Sequence, residues 1–366
     1  MYNPLDEIIG QSTVKDFLNK VVESRKIPHA FVFIGQDGVG KEFTAIQFAK
    51  LLALNSNVPN KNLIINSIQK LNEPYIKYIF PLPRGKNEKD SDAPYDKLKS
   101  EDIILIQNEL DKKSQNPYYQ IEIPNANNIK INSIRDINNF ISIAYEETFH
   151  RIILISNSHL MSDAAQNALL KSLEEPSTNI IFILITSVPE LLRETILSRC
   201  WKVNFENLSS EEIENILVKF FNVQNDIAKN ISKISFGSVR TALFYLKYDL
   251  DFLTNKVIKI LRYSFGKKYY SALNEIDEIV TDKILFKSII SLITLWLSYY
   301  NKFKLNQFEI PLNQFSDAIK KFTSKYPDID VSKIISSLDD FSYRLDKNIN
   351  PNIIASNLVV KLSMII

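Results

Sequence analysis

One glycine-rich segment gathers the residues best suited to chemistry, Gly35-Gln36-Asp37-Gly38-Val39-Gly40-Lys41. It fits the pattern G-x-x-x-x-G-K, in which glycines let backbone amides wrap phosphate groups and the lysine meets their charge. Three of the seven glycines in the chain, Gly35, Gly38 and Gly40, fall here. The segment predicts a phosphate loop with these glycines and Lys41 as the nucleotide-binding residues. The alternative is a turn that only packs a helix on a strand.

The residue after the lysine departs from what this chemistry needs. A serine or threonine hydroxyl normally follows the lysine and ligates Mg²⁺, but this chain has Glu42. A carboxylate beside a polyphosphate is repelled by it, and it could pair with Lys41 instead. The sequence therefore predicts a loop of nucleotide-binding ancestry that needs no cofactor, and residual ATP or ADP binding is left open.

A second set of catalytic groups is expected at the end of a neighbouring buried strand. An active ATPase of this kind needs one carboxylate there to hold Mg²⁺ and another to activate water. The apolar run 152–155 is followed instead by Ser156, Asn157 and, two residues later, His159. His159 is a conceivable base or, alternatively, a strand-exit residue with a packing role. Without the acids, the sequence predicts no ATP hydrolysis by the chain alone.

The elements that must position these groups alternate between apolar strands and helices. Residues 29–34 form a buried strand that leads into the glycine-rich turn, and a helical spacing of apolar residues follows it. Apolar strands separated by helices predict a parallel sheet covered on both faces. Further strands are predicted at 119–123 (ended by Pro124), 152–155, 180–185 and 203–205, and further helices at 131–145 and 161–173.

The remaining segments suggest a division into domains. We expect an α/β core over residues 1–206, with a polar surface insertion at about 56–117. Helical patterns follow almost without interruption from Ser209, and they predict a small helical lid at 207–250 and an all-helical domain at 251–366. The dense apolar residues between 284 and 297 fit either an ordinary helical core or a helix covered by a partner.

Composition limits the classes of function. The 366 residues carry 44 Lys and Arg against 42 Asp and Glu, so a surface that holds nucleic acid by charge alone is not expected. The single cysteine, Cys200, excludes an intrachain disulfide or a multi-cysteine zinc site. No signal segment or apolar run near 20 residues is found, so we expect a cytoplasmic protein without a membrane partner. The chain also has lysine pairs at 112–113, 267–268 and 320–321 and tyrosine pairs at 118–119 and 269–270. These isolated pairs favour solvated or packed faces over a surface that binds DNA.

Three further motifs make the pattern more specific. They are Asn167-Ala168-Leu169-Leu170-Lys171-Ser172-Leu173-Glu174-Glu175-Pro176, Thr195-Ile196-Leu197-Ser198-Arg199-Cys200, and the pair Ile8-Ile9-Gly10-Gln11 with Arg25-Lys26-Ile27-Pro28-His29-Ala30. Together with the phosphate loop they resemble the bacterial clamp-loader branch of the AAA+ superfamily. With both ATP-site motifs degenerate, the chain is most similar to the delta-prime subunits of DNA polymerase III, over about residues 5–245.

The resemblance implies roles for individual residues. Arg199 would be an arginine finger offered in trans to the ATP site of a neighbouring subunit; the alternative is a structural arginine. Arg240 would correspond to the second-sensor arginine of the lid, with a purely structural role as the alternative. Thr186 and Ser187 lie where relatives keep a first-sensor polar residue. The four-cysteine zinc module of many relatives has no counterpart at 56–117, so no zinc is expected.

The resemblance also implies a function and partners. The chain would be a non-hydrolysing subunit of the DNA polymerase III clamp loader, taking part in DNA replication and in an assembly with DNA-directed DNA polymerase activity. Its partners would be motor subunits of gamma/tau type, a clamp-opening subunit of delta type and, through the complex, the sliding clamp and primed DNA. Residues 251–366 would form the oligomeric collar. The alternative is a catalytically active AAA+ ATPase, of the motor clamp-loader or branch-migration type.

Overall fold

The chain divides into two compact units, Met1–Thr241 and Ala242–Ile366. The computed structural model describes residues 2–142, 150–305, 313–327, 329–346 and 349–366. The boundary between the units lies inside the segment predicted to be a lid, 207–250. The division into core, lid and collar therefore stays a prediction.

The first unit is built on a five-stranded, fully parallel sheet in the order β2-β3-β4-β1-β5. The central strands are buried along almost their whole length because helices cover both faces, as their continuous apolar runs predict. The predicted α/β class with a parallel sheet is confirmed. The strands are β1 (Ala30–Ile34), β2 (Ile76–Ile79), β3 (Arg151–Ile155), β4 (Ile180–Thr186) and β5 (Trp201–Asn204).

Ten helices accompany this sheet in the part of the chain that the structure describes. The helix after the glycine-rich turn is the most deeply placed, with 12 of its 15 residues buried. The helices are α1 (Ser12–Glu23), α2 (Lys41–Asn55), α3 (Lys61–Gln69), α4 (Ser100–Gln115), α5 (Ile131–Ser142), α6 (Asp163–Glu174), α7 (Glu194–Leu197), α8 (Ser210–Phe221), α9 (Asn225–Ser232) and α10 (Val239–Lys247). The last of these crosses from the first unit into the second.

The predicted surface insertion at 56–117 is wrong in an important respect. It contains α3, α4 and β2, and β2 pairs with β3 in register from Ile76 opposite Ile152 to Ile79 opposite Ile155. Ile76 and Ile79 are buried in the sheet. The segment thus supplies an edge strand of the core, which its short length and polar surroundings hide in the sequence.

The predicted strand at 119–123 is also wrong, since the structure has no regular element there. Its backbone groups bond to side chains of α4 instead of to a strand. Lys113 donates to the carbonyl oxygen of Tyr119 at 2.7 Å, and the amide of Glu122 donates to the carboxylate of Glu109 at 3.1 Å. The helix predicted at 131–145 is seen as α5 up to Ser142, and residues 143–145 lie outside the described residues.

The second unit is helical throughout the part that the structure describes. Its longest helix, Lys283–Lys304, passes the length and hydropathy test for a membrane span, but 61% of the tested window is buried inside the protein. That burial is what a core helix of a folded domain shows. The helices are α11 (Leu250–Phe265), α12 (Tyr269–Asp277), α13 (Lys283–Lys304), α14 (Asn313–Lys325), α15 (Ser332–Asp346) and α16 (Pro351–Ser363).

Candidate functional site

The glycine-rich segment forms a turn between the end of β1 and the start of α2. Gly38 and Gly40 have φ angles of +82° and +92°, a left-handed conformation that glycine adopts without steric cost. The ammonium of Lys41 folds back onto the loop and donates to the carbonyl oxygens of Gly35 at 2.5 Å and Gln36 at 2.6 Å. Burial lowers the pKa of Lys41 to about 8, although the nearby carboxylates of Asp37 and Glu42 oppose that shift.

Glu42 does not make its salt bridge with Lys41, which was one expectation from the sequence. Its partner is Lys113, at the end of α4. Its carboxylate also accepts hydrogen bonds from the hydroxyls of Ser156, after β3, and of Tyr78, in β2. The side chain of Glu42 is 22% exposed and that of Lys113 only 2%. Elements far apart in the sequence thus meet at Glu42, the position where a serine or threonine hydroxyl normally ligates Mg²⁺.

The charges in this cluster fix its protonation. Burial raises the pKa of Glu42, but the charge and hydrogen bond of Lys113 and the bonds from Ser156 and Tyr78 outweigh it, so the pKa lies below its ordinary value. Burial and the charge of Glu42 raise the pKa of Tyr78 well above its ordinary value. At neutral pH the cluster is therefore a carboxylate neutralised by a lysine and held by a neutral phenol.

Lys113 is the residue of this site that the sequence did not reveal. The pair 112–113 was interpreted as a solvated face, and that holds for Lys112, whose side chain is 56% exposed. Lys113 points inward and has three oxygen partners: Glu42, the carbonyl of Pro117 at 3.0 Å and the carbonyl of Tyr119 at 2.7 Å. These match the three N–H donors of an ammonium group. The signal available in the sequence was Glu42 itself, because a carboxylate at that position requires a cation.

The end of β3 carries the uncharged residues that the sequence placed there. Ser156 is bound to Glu42, and Asn157 has a left-handed backbone. His159 Nδ1 lies 3.2 Å from the hydroxyl of Thr186, the first-sensor candidate. Burial lowers the pKa of His159, so its ring is neutral at physiological pH. Among the residues that the structure describes, no group of three or more His, Cys, Asp or Glu side chains could hold a metal ion.

A short segment before and within α10 contacts the outer side of the loop. The hydroxyl of Ser238 donates to the carbonyl of Asp37 at 2.7 Å, and the amide of Val239 donates to the carbonyl of Gly38 at 3.1 Å. The guanidinium of Arg240 pairs with the carboxylate of Asp37 at 3.0 Å. Arg240, the second-sensor candidate, therefore binds the loop itself.

Arg199 lies apart from this cluster, directly after α7. Its guanidinium donates to the carbonyl of Thr195 at 2.8 Å and to the carboxylate of Glu174 at 2.9 Å. The side chains of Arg199 and Glu174 are 35% and 49% exposed, so the arginine is held in place but faces solvent. The next residue, Cys200, is buried, and burial raises the pKa of its thiol to about 12.

Comparison with known proteins identifies relatives for most of the first unit. A family described as "DNA polymerase III, delta subunit" matches residues 10–209. The tau subunit of Bacillus subtilis DNA polymerase III is 26% identical over 70% of this chain and 39% of its own length. The gamma subunit of Buchnera aphidicola subsp. Schizaphis graminum is 29% identical over 69% of this chain and 60% of its own length. The delta' subunit of B. subtilis is 26% identical over 61% of this chain and 54% of its own length.

Two solved structures from Thermotoga maritima are among those that align with this chain. A DNA polymerase III gamma subunit-related protein covers 95% of this chain and 98% of its own, with 14% identity and a TM-score of 0.41. The RuvB Holliday junction branch migration motor covers 77% of this chain and 73% of its own, with 17% identity and a TM-score of 0.39.

The matched segment includes the glycine-rich loop, all five strands and Arg199. It extends over more than half of the chain. The first two of these curated relatives are matched over less than two thirds of their own length, and tau, gamma and delta' subunits all occur among them. The protein belongs to the DNA polymerase III delta-subunit family of clamp-loader proteins.

Proposed function

We propose that this chain is a non-hydrolysing, delta-prime-type subunit of the DNA polymerase III clamp loader. It would act in the cytoplasm during DNA replication, as one member of a ring that opens a sliding clamp and loads it onto primed DNA. Its neighbours would be motor subunits of gamma/tau type and a clamp-opening subunit of delta type. The proposal rests on family membership together with the chemistry of the loop and of the Arg199 surface.

The Glu42 cluster is the observation that carries the proposal. ATP hydrolysis needs a hydroxyl and a carboxylate for Mg²⁺ and a base for water. The position of the hydroxyl is taken by Glu42, whose charge is neutralised by Lys113. Its carboxylate oxygens also accept hydrogen bonds from Ser156 and Tyr78. Ser156 and Asn157 replace the acids. A site so arranged lacks both metal ligands and a base, so the chain would not turn over ATP.

Arg199 would give the subunit its part in catalysis. A guanidinium supplied in trans stabilises charge on the transferred phosphoryl group and contributes about 10³–10⁵ in rate. The exposure of Arg199 and its anchoring by Glu174 and the Thr195 carbonyl suit a group presented to a neighbour. Arg240, tied to Asp37, would instead hold 238–240 against the loop. Gly35, Gly38, Gly40 and Lys41 would be a relic of nucleotide binding, with no cofactor and no zinc required.

The two experiments that test this function use the isolated chain and the assembled complex. The isolated chain with Mg²⁺ and ATP should show no hydrolysis above background. In the complex, Arg199→Ala should reduce clamp- and DNA-stimulated ATP turnover, while gel filtration shows that assembly is intact. Arg193→Ala is the matched control, since Arg193 is also exposed and paired with one carboxylate, that of Asp163. Normal turnover by the Arg199→Ala complex would contradict the finger role.

An active ATPase is the second candidate, and the similarity to tau and gamma subunits favours it. It would require Glu42 to leave Lys113 and ligate Mg²⁺, and His159 or another residue to serve as the base. Single-turnover hydrolysis of radiolabelled ATP by the purified chain decides between the two candidates. Product formation that is lost in a Lys41→Ala variant would establish the ATPase.

A further inference from the structure

We propose that residues 113–119 are a built-in plug of the phosphate loop, with the Lys113 ammonium in the place of a magnesium ion and the Tyr118 ring over the loop. This goes beyond the proposed function, because it concerns the entry of nucleotide rather than hydrolysis or Arg199. The segment comes from α4 and the turn after it, in the part of the chain that the sequence suggested was a surface insertion.

The Tyr118 ring lies against the last glycine of the loop. A methyl group built on Gly40 would lie 3.4 Å from a ring carbon and 3.6 Å from the hydroxyl oxygen of Tyr118. The ring also packs between Phe43 of α2 and Phe220 of α8, with centroid distances of 5.4 and 5.1 Å. Tyr118 is buried. Gly40, the N-cap of α2 beside the free amides that would meet phosphate, is thus in contact with a packed aromatic side chain.

Two residues, Asn116 and Lys113, hold the plug in place. Asn116 donates from its side chain to the carbonyl of Phe220 at 2.9 Å and accepts the amide of Tyr118 at 3.0 Å. Lys113 binds Glu42 and the carbonyls of Pro117 and Tyr119, so the turn closes on its own cation. The segment is therefore fixed to both α2 and α8 by charge, hydrogen bonds and ring packing.

The loop interior is occupied as well. Lys41, which would meet the terminal phosphate, is bound to Gly35 and Gln36 within the loop. A magnesium nucleotide would have to break these bonds, displace a buried ring and bring its cation beside the ammonium of Lys113. The magnesium ion and the Lys113 ammonium would then repel each other strongly, because the Lys113 side chain is buried and little water screens its charge. The plug would therefore exclude MgATP from the loop.

The test compares an unplugged variant, Glu42→Thr with Lys113→Met and Tyr118→Ala, with the wild-type chain. The probe is MgATP labelled with a methylanthraniloyl fluorophore, titrated to millimolar concentration. We expect no saturable binding by the wild type and a gain in affinity of about tenfold or more in the variant. The matched control is Lys112→Met, which changes the neighbouring lysine outside the plug and should bind no better than the wild type.

Each outcome decides the proposal. Binding by the wild type at micromolar MgATP, or a folded unplugged variant with no gain, overturns it. If the variant does not fold, hydrogen–deuterium exchange of residues 35–42 in the wild type decides: protection by millimolar MgATP overturns the plug, and unchanged exchange supports it. Binding of MgATP by the wild type without hydrolysis would refute the plug alone. Hydrolysis of ATP by the wild type would refute the proposed function, so the two failures are distinguishable.

Discussion

Two charged sites of the first unit differ in where their partners come from. Lys113 and Glu42 are paired inside the protein and bonded to groups of β2, β3 and the turn after α4. Arg199 is paired at the surface with Glu174, and both side chains are substantially exposed. The inner charges are satisfied by the chain itself, whereas the outer guanidinium can exchange its partner for one on another molecule.

The difference shows how charged residues beside the glycine-rich loop shape the protein. A buried ion pair adds little net stability over an apolar substitute, but loss of one member is costly because it leaves an uncompensated charge. The inner site therefore acts as a structural joint between the loop, the sheet and α4. The outer site should contribute little to folding, which fits the proposed role of Arg199 toward a neighbouring subunit.

Lys113→Met should give the largest effect on stability. It leaves Glu42 buried without its cation, and we expect a loss of about 3–5 kcal/mol in the free energy of unfolding. Urea denaturation followed by circular dichroism measures it. Arg84→Met is the control and should cost far less, because Arg84 and its partner Asp90 are both exposed. Glu42→Met combined with Lys113→Met should recover most of the loss. Equal losses in Arg84→Met and Lys113→Met would remove the distinction between inner and surface charges.

Gly38→Ala should give a smaller but clear loss of about 1–3 kcal/mol. The φ angle at Gly38 is +82°, and an added methyl group would lie 2.5 Å from the amide nitrogen of Arg240 and 2.7 Å from the hydroxyl of Ser238. Gly266→Ala is the control, because the backbone there is not left-handed. The midpoints of thermal unfolding of the two variants are compared with that of the wild type. An unchanged midpoint for Gly38→Ala would show that residues 238–240 do not pack against the loop.

The pH dependence of stability should separate Glu42 from the surface carboxylates. Because its pKa is lower in the folded than in the unfolded chain, Glu42 contributes stability that is complete above its unfolded pKa of about 4.3. That contribution is lost as the pH falls through the folded pKa. Glu42→Gln should therefore lose less stability than the wild type between neutral and acid pH in urea titrations. Parallel curves for the two proteins would contradict the assignment.

Glu174→Ala should give the smallest effect, about 0–1 kcal/mol, because an exposed pair contributes little. Arg199→Ala should be equally neutral for folding, so that any loss of ATP turnover in the complex reports on the neighbour's site. Urea midpoints of the two variants beside the wild type provide the measurement. A destabilisation as large as that of Lys113→Met would make Arg199 a structural arginine.

Local patterns in the sequence predict the central strands and the loop, but neither the edge strand β2 nor the residues that close the site. A few neighbouring residues are sufficient to recognise the apolar runs of β1, β3 and β4. The same holds for the spacing of Gly35, Gly40 and Lys41. The edge strand β2 and the pairing of Glu42 with Lys113 depend on contacts between distant segments, which periodicity does not encode. The expected strand at 119–123 failed for the same reason, because side chains from α4 bind its backbone.

The burial of Cys200 has a practical consequence for studies of the assembled ring. The chain holds one cysteine, and its thiol is enclosed and stays protonated. Maleimide dyes react with exposed thiolates, so the native protein should stay unlabelled. A single cysteine introduced on the surface would then carry a fluorophore at one known position, and the distance to a neighbouring subunit of the proposed complex could be followed.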